Sequence, residues 1–143
     1  MNTPASLDPQ QKLPHRPPML MVDGISKCDQ ERIECTAHIQ PDNPLLLDGL
    51  FPAIGGLELL AQASGILLAT REGHDGAAKP GAIALIKTFQ ACEEAVPIGT
   101  CVNIEANFHG VNATAAIFRG KVTMQQKTLF SGTLMITLLA EAS

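Results

Sequence analysis

The sequence predicts an α+β domain in which six antiparallel strands curl around one long helix. Three observations predict it. Strand-like alternation occupies both ends of the chain, a single Ala- and Leu-rich stretch interrupts it, and that stretch is apolar nearly all round. A helix without a polar face has to be enclosed, and a sheet with one apolar face needs cover, so each supplies what the other lacks.

The elements follow in order. Leu13 to Pro18 (Leu-Pro-His-Arg-Pro-Pro) holds three prolines in six residues, which makes a stiff lead-in that is neither a long helix nor a central strand. Met19 to Lys27 and Arg32 to Gln40 read as a hairpin across Asp29-Gln30-Glu31, the second strand alternating Ile33, Cys35, Ala37 and Ile39 against Glu34, Thr36 and His38. A Pro/Asp/Asn loop from Pro41 to Pro44 then leads to the helix, expected between Phe51 and Glu72. Pro52 suits its first turn, Arg71 its last, and Gly73 its stop.

From Ala53 to Ala69 the polar side chains are Glu58, Gln62 and Ser64 alone. A membrane span would have to carry that carboxylate, the amide and three glycines within a short run, which argues against it. Gly73 to Gly81, with three glycines, a His, an Asp and a Pro, is expected to be a mobile loop. Four strands complete the set: Gly81 to Ala91, Thr100 to His109, Ala113 to Thr123 and Leu129 to Leu139. A six-stranded antiparallel sheet wrapped around one central helix is the hotdog arrangement. Its open edges invite a second copy, so at least a dimer is expected.

Size and composition fit one domain over residues 1–143, with residues 1–11 a flexible segment. A chain of this length buries about two-thirds of its unfolded surface without help from disulfides or metal. Ten basic against 14 acidic side chains give a net charge of −4, with no basic cluster, no Trp and no Tyr. Phosphate neutralisation and base stacking are both hard to build from that, which excludes nucleic acid as the expected partner. The polar, Pro-containing start lacks the basic-then-apolar pattern of a secretory signal, so a cytoplasmic protein is expected. Cys28, Cys35, Cys92 and Cys101 show no Cys-x-x-Cys spacing and read as reduced thiols serving as small hydrophobes. No metal site is expected.

An ionisable group in a buried helix must be paired, hydrogen-bonded or used, and Glu58 is that group. Gln62 lies four residues on, on the same face, within reach of the Glu58 carboxylate. Desolvation is expected to raise the Glu58 pKa toward that of a proton donor working near neutral pH; a purely structural carboxylate is the alternative. The helix opens Pro52-Ala53-Ile54-Gly55-Gly56. Small side chains there either expose backbone N–H donors to the oxygen of a thioester or let the helix sit tightly on the sheet. Of the four histidines, His74 falls in the loop and His38 and His109 on polar strand parities, whereas His15 sits in the proline-stiffened segment. Elbows for nucleophilic serine, His-Glu-x-x-His pairs, phosphate loops and dinucleotide fingerprints are all missing.

These residues carry a resemblance. Leu-Pro-His-Arg-Pro-Pro-Met-Leu-Met-Val-Asp (13 to 23), Asp-Gly-Leu-Phe-Pro (48 to 52), Glu-Leu-Leu-Ala-Gln-Ala-Ser-Gly (58 to 65) and Val-Pro-Ile-Gly (96 to 99) resemble motifs of the hotdog 3-hydroxyacyl-ACP dehydratases. The resemblance covers the first half of the chain well and the second mainly by strand count. It implies dehydration of a 3-hydroxyacyl thioester on acyl carrier protein (or CoA) to the trans-2-enoyl thioester, without metal or organic cofactor.

The resemblance assigns the acid to Glu58, the amide that holds it to Gln62 and the oxyanion-binding N–H to Ala53, beside Gly55 and Gly56. It does not supply the usual His, because Leu50 stands at that position and the loop before the helix is shortened. That departure resembles the dehydratase branch associated with aryl-polyene lipid synthesis. His15 is the first candidate for the second catalytic group and Asp48 the second. An acyl-thioester hydrolase on the same fold is the alternative activity. A non-catalytic subunit, completing a hetero-oligomer with a second hotdog chain, is the alternative of a different kind.

Overall fold

The structure is a computed structural model and describes residues 8, 9, 13, 16–71, 81–112 and 114–138. The expected mobile loop (apart from Gly81), most of the 1–11 segment, His15 and His74 lie outside the described residues. The elements run β1 (Gly24–Cys28), β2 (Arg32–His38), β3 (Leu50–Pro52), α1 (Gly55–Arg71), β4 (Gly81–Ala91), β5 (Ala95–Pro97), β6 (Cys101–Asn112), β7 (Ala115–Met124) and β8 (Lys127–Leu138). Six strands form one antiparallel sheet in the order β1-β2-β6-β7-β8-β4, while β3 and β5 pair as a separate two-stranded ribbon.

Strand alternation puts one face of the sheet on the helix. Ile33, Cys35 and Ala37 of β2, Val102, Ile104 and Ala106 of β6, Phe118 and Val122 of β7, and Phe130 and Leu134 of β8 are all buried. They enclose Leu59, Leu60, Ala63, Ile66 and Leu67 of α1 in one continuous core. Each such Leu, Ile or Phe contributes about 1.5–3 kcal/mol by leaving water. The helix is buried on most of its circumference, as its composition requires.

Two boundaries differ from the sequence reading, each because a tertiary contact overrides a local preference. Met19 to Val22 does not open β1, because its backbone is held by a side chain of α1. The helix begins at Gly55 rather than around Pro52, because Leu50, Phe51 and Pro52 pair with Pro97, Val96 and Ala95. That pairing also creates β3 and β5, which are too short to show alternation. Gly55 and Gly56 then seat the start of α1. A Cβ at Gly55 would collide with the Phe51 ring, and one at Gly56 would lie 2.5 Å from Phe130 Cδ2. Tight helix–sheet packing is thus what these two glycines provide.

The four cysteines divide by burial. Cys28 and Cys35 are buried and fit the small-hydrophobe reading, but Cys92 and Cys101 are exposed and correct it. Burial, reinforced by neighbouring Cys28, pushes the Cys35 thiol up from its ordinary 9.0 to about 12. A raised folded-state pKa contributes stability that is complete below the unfolded value and lost as pH climbs toward the folded one. Between pH 9 and 12 this thiol should therefore cost about 1.4 kcal/mol of stability per pH unit. Urea titrations across that window should show a shallower alkaline decline for Cys35→Ala than for the parent chain, each normalised to its own stability at pH 7.

Candidate active site

Glu58 lies in the first turn of α1. Its side chain is half-buried rather than wrapped on all sides, which corrects the enclosed carboxylate expected from the sequence. Ala61 and Gly65 are half-buried too, and these three positions share one face by helical spacing. The curled sheet covers the remaining faces, so Glu58 stands on the stripe that this chain leaves incompletely covered.

Gln62 has a different task from the one expected. It is 1% exposed. Its Oε1 accepts the Met21 N–H at 2.9 Å and the Val22 N–H at 3.3 Å, while its Nε2 donates to the Met19 carbonyl at 2.8 Å. The amide thus clamps the segment that follows the prolines onto the helix, one turn after Glu58. Three backbone groups of a segment that could have extended β1 are instead satisfied by one side chain.

The donor expected at Ala53 is also corrected. Its N–H donates to the Glu94 carbonyl at 2.9 Å, tying the start of the helix to the turn before β5. The Gly56 N–H donates to the Ala53 carbonyl and the Leu57 N–H to that of Ile54. Among the described residues, the N–H groups of Ile54 and Gly55 meet no acceptor, so any anionic oxygen at this helix end has its donors there.

Asp48 occupies a tight turn. Leu47 and Leu50 exchange two backbone hydrogen bonds across it, at 2.8 and 3.1 Å. Asp48 has φ 53° and Gly49 φ 77°, the paired left-handed conformation for which Asp-Gly is well suited. The Asp48 side chain is exposed, and the turn by itself explains an Asp at this position. Leu50 is 43% exposed at the start of β3. Thus the structure gathers Glu58, Gln62, Gly55 and Gly56 on the first turns of α1, with Ala53 just before them, whereas Asp48 is placed at a turn tip.

Among the described residues, no cluster of three or more His, Cys, Asp or Glu side chains could hold a metal, and no helix is long and apolar enough to cross a membrane. One polar constellation escaped the sequence reading: Asp23, His38 and Cys101 meet on the outer face of the sheet. The signal was there in part, since His38 and Cys101 both sit on the outward parity of their strands; the strand register that joins them was not.

The curled sheet around one helix, with a carboxylate in its first turn and a buried glutamine one turn on, makes this a hotdog protein with a polar pair at the start of its helix. The ApeP-like family, described as ApeP dehydratase, matches residues 7–142, and the chain belongs to it. Two relatives named 3-hydroxyacyl-[acyl-carrier-protein] dehydratase FabZ support the class. That of Streptococcus equi subsp. zooepidemicus is 30% identical over 131 residues, covering 87% of this chain and 91% of the relative. That of Streptococcus uberis is 28% identical over 137 residues, covering 92% and 95%.

Among solved structures, the dehydratase heterocomplex ApeI:P from Xenorhabdus doucetiae has a chain that superposes with a TM-score of 0.84 at 21% identity, over 94% of this chain and 93% of that one. A hypothetical thioesterase with coenzyme A from Streptococcus pneumoniae shares the fold at a TM-score of 0.63 and 14% identity, over 83% and 87%.

The clamp generates a test. Gln62→Met keeps the volume but strips two backbone N–H groups and one carbonyl of their partners, at about 1–3 kcal/mol for each buried group left unsatisfied. Chemical denaturation should show a loss of at least about 2 kcal/mol. Native-state hydrogen exchange should show the Met21 and Val22 amides losing protection before those of β6.

Proposed function

We propose that this chain takes part in the dehydration of a 3-hydroxyacyl thioester, held on acyl carrier protein or CoA, to the trans-2-enoyl thioester. The observation that carries this reading is the placement of Glu58. A carboxyl group stands on the one incompletely covered stripe of a helix that begins with two glycines and two N–H groups lacking acceptors. Family membership and the FabZ relatives support the same chemistry.

In this reading the acyl carbonyl oxygen is held at the Ile54 and Gly55 N–H groups, where negative charge developing on it is stabilised by fixed donors. A base removes the α-proton, the electron pair forms the C–C double bond, and Glu58 gives its proton to the departing hydroxyl, which leaves as water. His15, which lies outside the described residues, is the first candidate for the base and Asp48 the second.

A second reading has its own observations. The resemblance places Leu50 where the usual His stands, and β4 ends the sheet with Ile83, Leu85 and Ile86 exposed at 38%, 51% and 43%. A long apolar edge strand invites another chain to pair with it, and the missing group would then come from that chain. On this reading the protein is one subunit of a hotdog oligomer, built with its own copy or with a second hotdog chain that keeps the full pair.

Mass spectrometry of a 3-hydroxyacyl carrier protein, incubated with this chain alone, separates the readings. Loss of one water is the expected result, and Glu58→Gln should slow it by about 100-fold or more. Release of the acyl group with the chain unaltered would replace dehydration by hydrolysis. An unchanged substrate would move the protein to the subunit reading. Light scattering should give a mass of at least two chains, and Leu85→Lys should shift it toward one; a monomeric parent chain would overturn the edge-pairing proposal.

A further inference from the structure

We propose that Cys101, His38 and Asp23 form a thiol–disulfide exchange site on the outer face of the sheet, independent of the dehydratase chemistry. His38 and Cys101 are directly opposite each other on β2 and β6. The His38 N–H points away from β6 and donates to Asp23 Oδ2 at 2.6 Å, while the Ile39 N–H bonds the Thr100 carbonyl. The pair is therefore of the non-hydrogen-bonded type, in which opposing side chains come closest. Cys101 Sγ lies 2.8 Å from His38 Nε2, and Asp23 Oδ2 lies 3.5 Å from His38 Nδ1.

The order of these contacts defines the chemistry. The Asp23 carboxylate beside Nδ1 favours the ring proton there, which leaves the Nε2 lone pair facing the thiol. The three groups stand in series with the ring in the middle, and they do not converge on a point that a cation would occupy. Cys101 is exposed, so an incoming molecule can reach it. On the side of His38 and Asp23, a cleft of about 240 Å³ is lined also by Pro17, Pro18, Leu20 and Asp42. Nucleophile, base and orienting carboxylate are the parts that activate a cysteine in general.

The substrate class is a small disulfide. Cys101 passes its proton to His38 Nε2 and its sulfur attacks one sulfur of the disulfide. The S–S bond of the reagent breaks as the Cys101–S bond forms, and the departing thiolate takes the proton from His38. One thiol and one disulfide are consumed, and one mixed disulfide and one thiol are produced.

The chain contains its own control. Cys92 is exposed as well, but among the described residues no histidine contacts it. Intact-chain incubation with oxidised glutathione at neutral pH, followed by peptide mapping, should show Cys101 modified about ten times faster than Cys92 or more. His38→Ala should bring Cys101 down to the Cys92 rate with circular dichroism unchanged. Asp23→Asn, which keeps an oxygen for the His38 N–H, should give an intermediate rate. Equal rates at Cys101 and Cys92 in the parent chain, or an unaltered Cys101 rate in a folded His38→Ala chain, would overturn the proposal.

Discussion

Everything in this molecule is arranged around the enclosure of a helix that has almost no polar face. Twelve of the 17 residues of α1 are buried, by one face of the six-stranded sheet together with β3 and the Met19–Val22 segment. The helix can approach that sheet so closely because Gly55 and Gly56 bring no side chain to the rings of Phe51 and Phe130. Gly120 does the same from the sheet side, where a Cβ would lie 2.9 Å from Leu60 Cδ2. Once the helix is so seated, the position of Glu58 follows from helical geometry: it falls on the stripe the sheet does not fully reach.

The polar groups that remain on this helix serve to hold backbone that the sheet cannot use. Gln62 takes in Met19 to Val22, and the Glu94 carbonyl takes the N–H of Ala53. Both contacts converge on the N-terminal half of α1, the half that carries the carboxylate.

Much of the architecture was legible in the sequence because burial dictates it directly. Ile33-Cys35-Ala37 and Val102-Ile104-Ala106 alternate because each strand has one wet and one dry face, and that pattern needs no knowledge of the partner strand. Gly81 to Ala91 is legible by its bounds, although as an edge strand it leaves Ile83, Leu85 and Ile86 exposed. What could not be read is what depends on a partner distant in sequence. β3 and β5 are three residues each and exist only as a pair. The amide of Gln62 finds Met21 across 41 residues rather than Glu58 across four, and Ala53 finds Glu94 across 41 more. His38 and Cys101 are neighbours only through the register of β2 on β6. Of the candidate site, then, Glu58 and the glycines were visible as oddities of one helix, whereas the groups that position them were not.

The sulfur of Cys35 has a consequence of another kind. It lies on a central stretch of β2, shielded by β1 on one side and β6 on the other, with no measurable contact with solvent. A reagent can find it only when that end of the sheet comes apart, so its labelling kinetics would serve as a stopwatch for local opening in the native ensemble. The molecule thus has, without any added probe, a reporter one strand in from the β1 edge of the sheet.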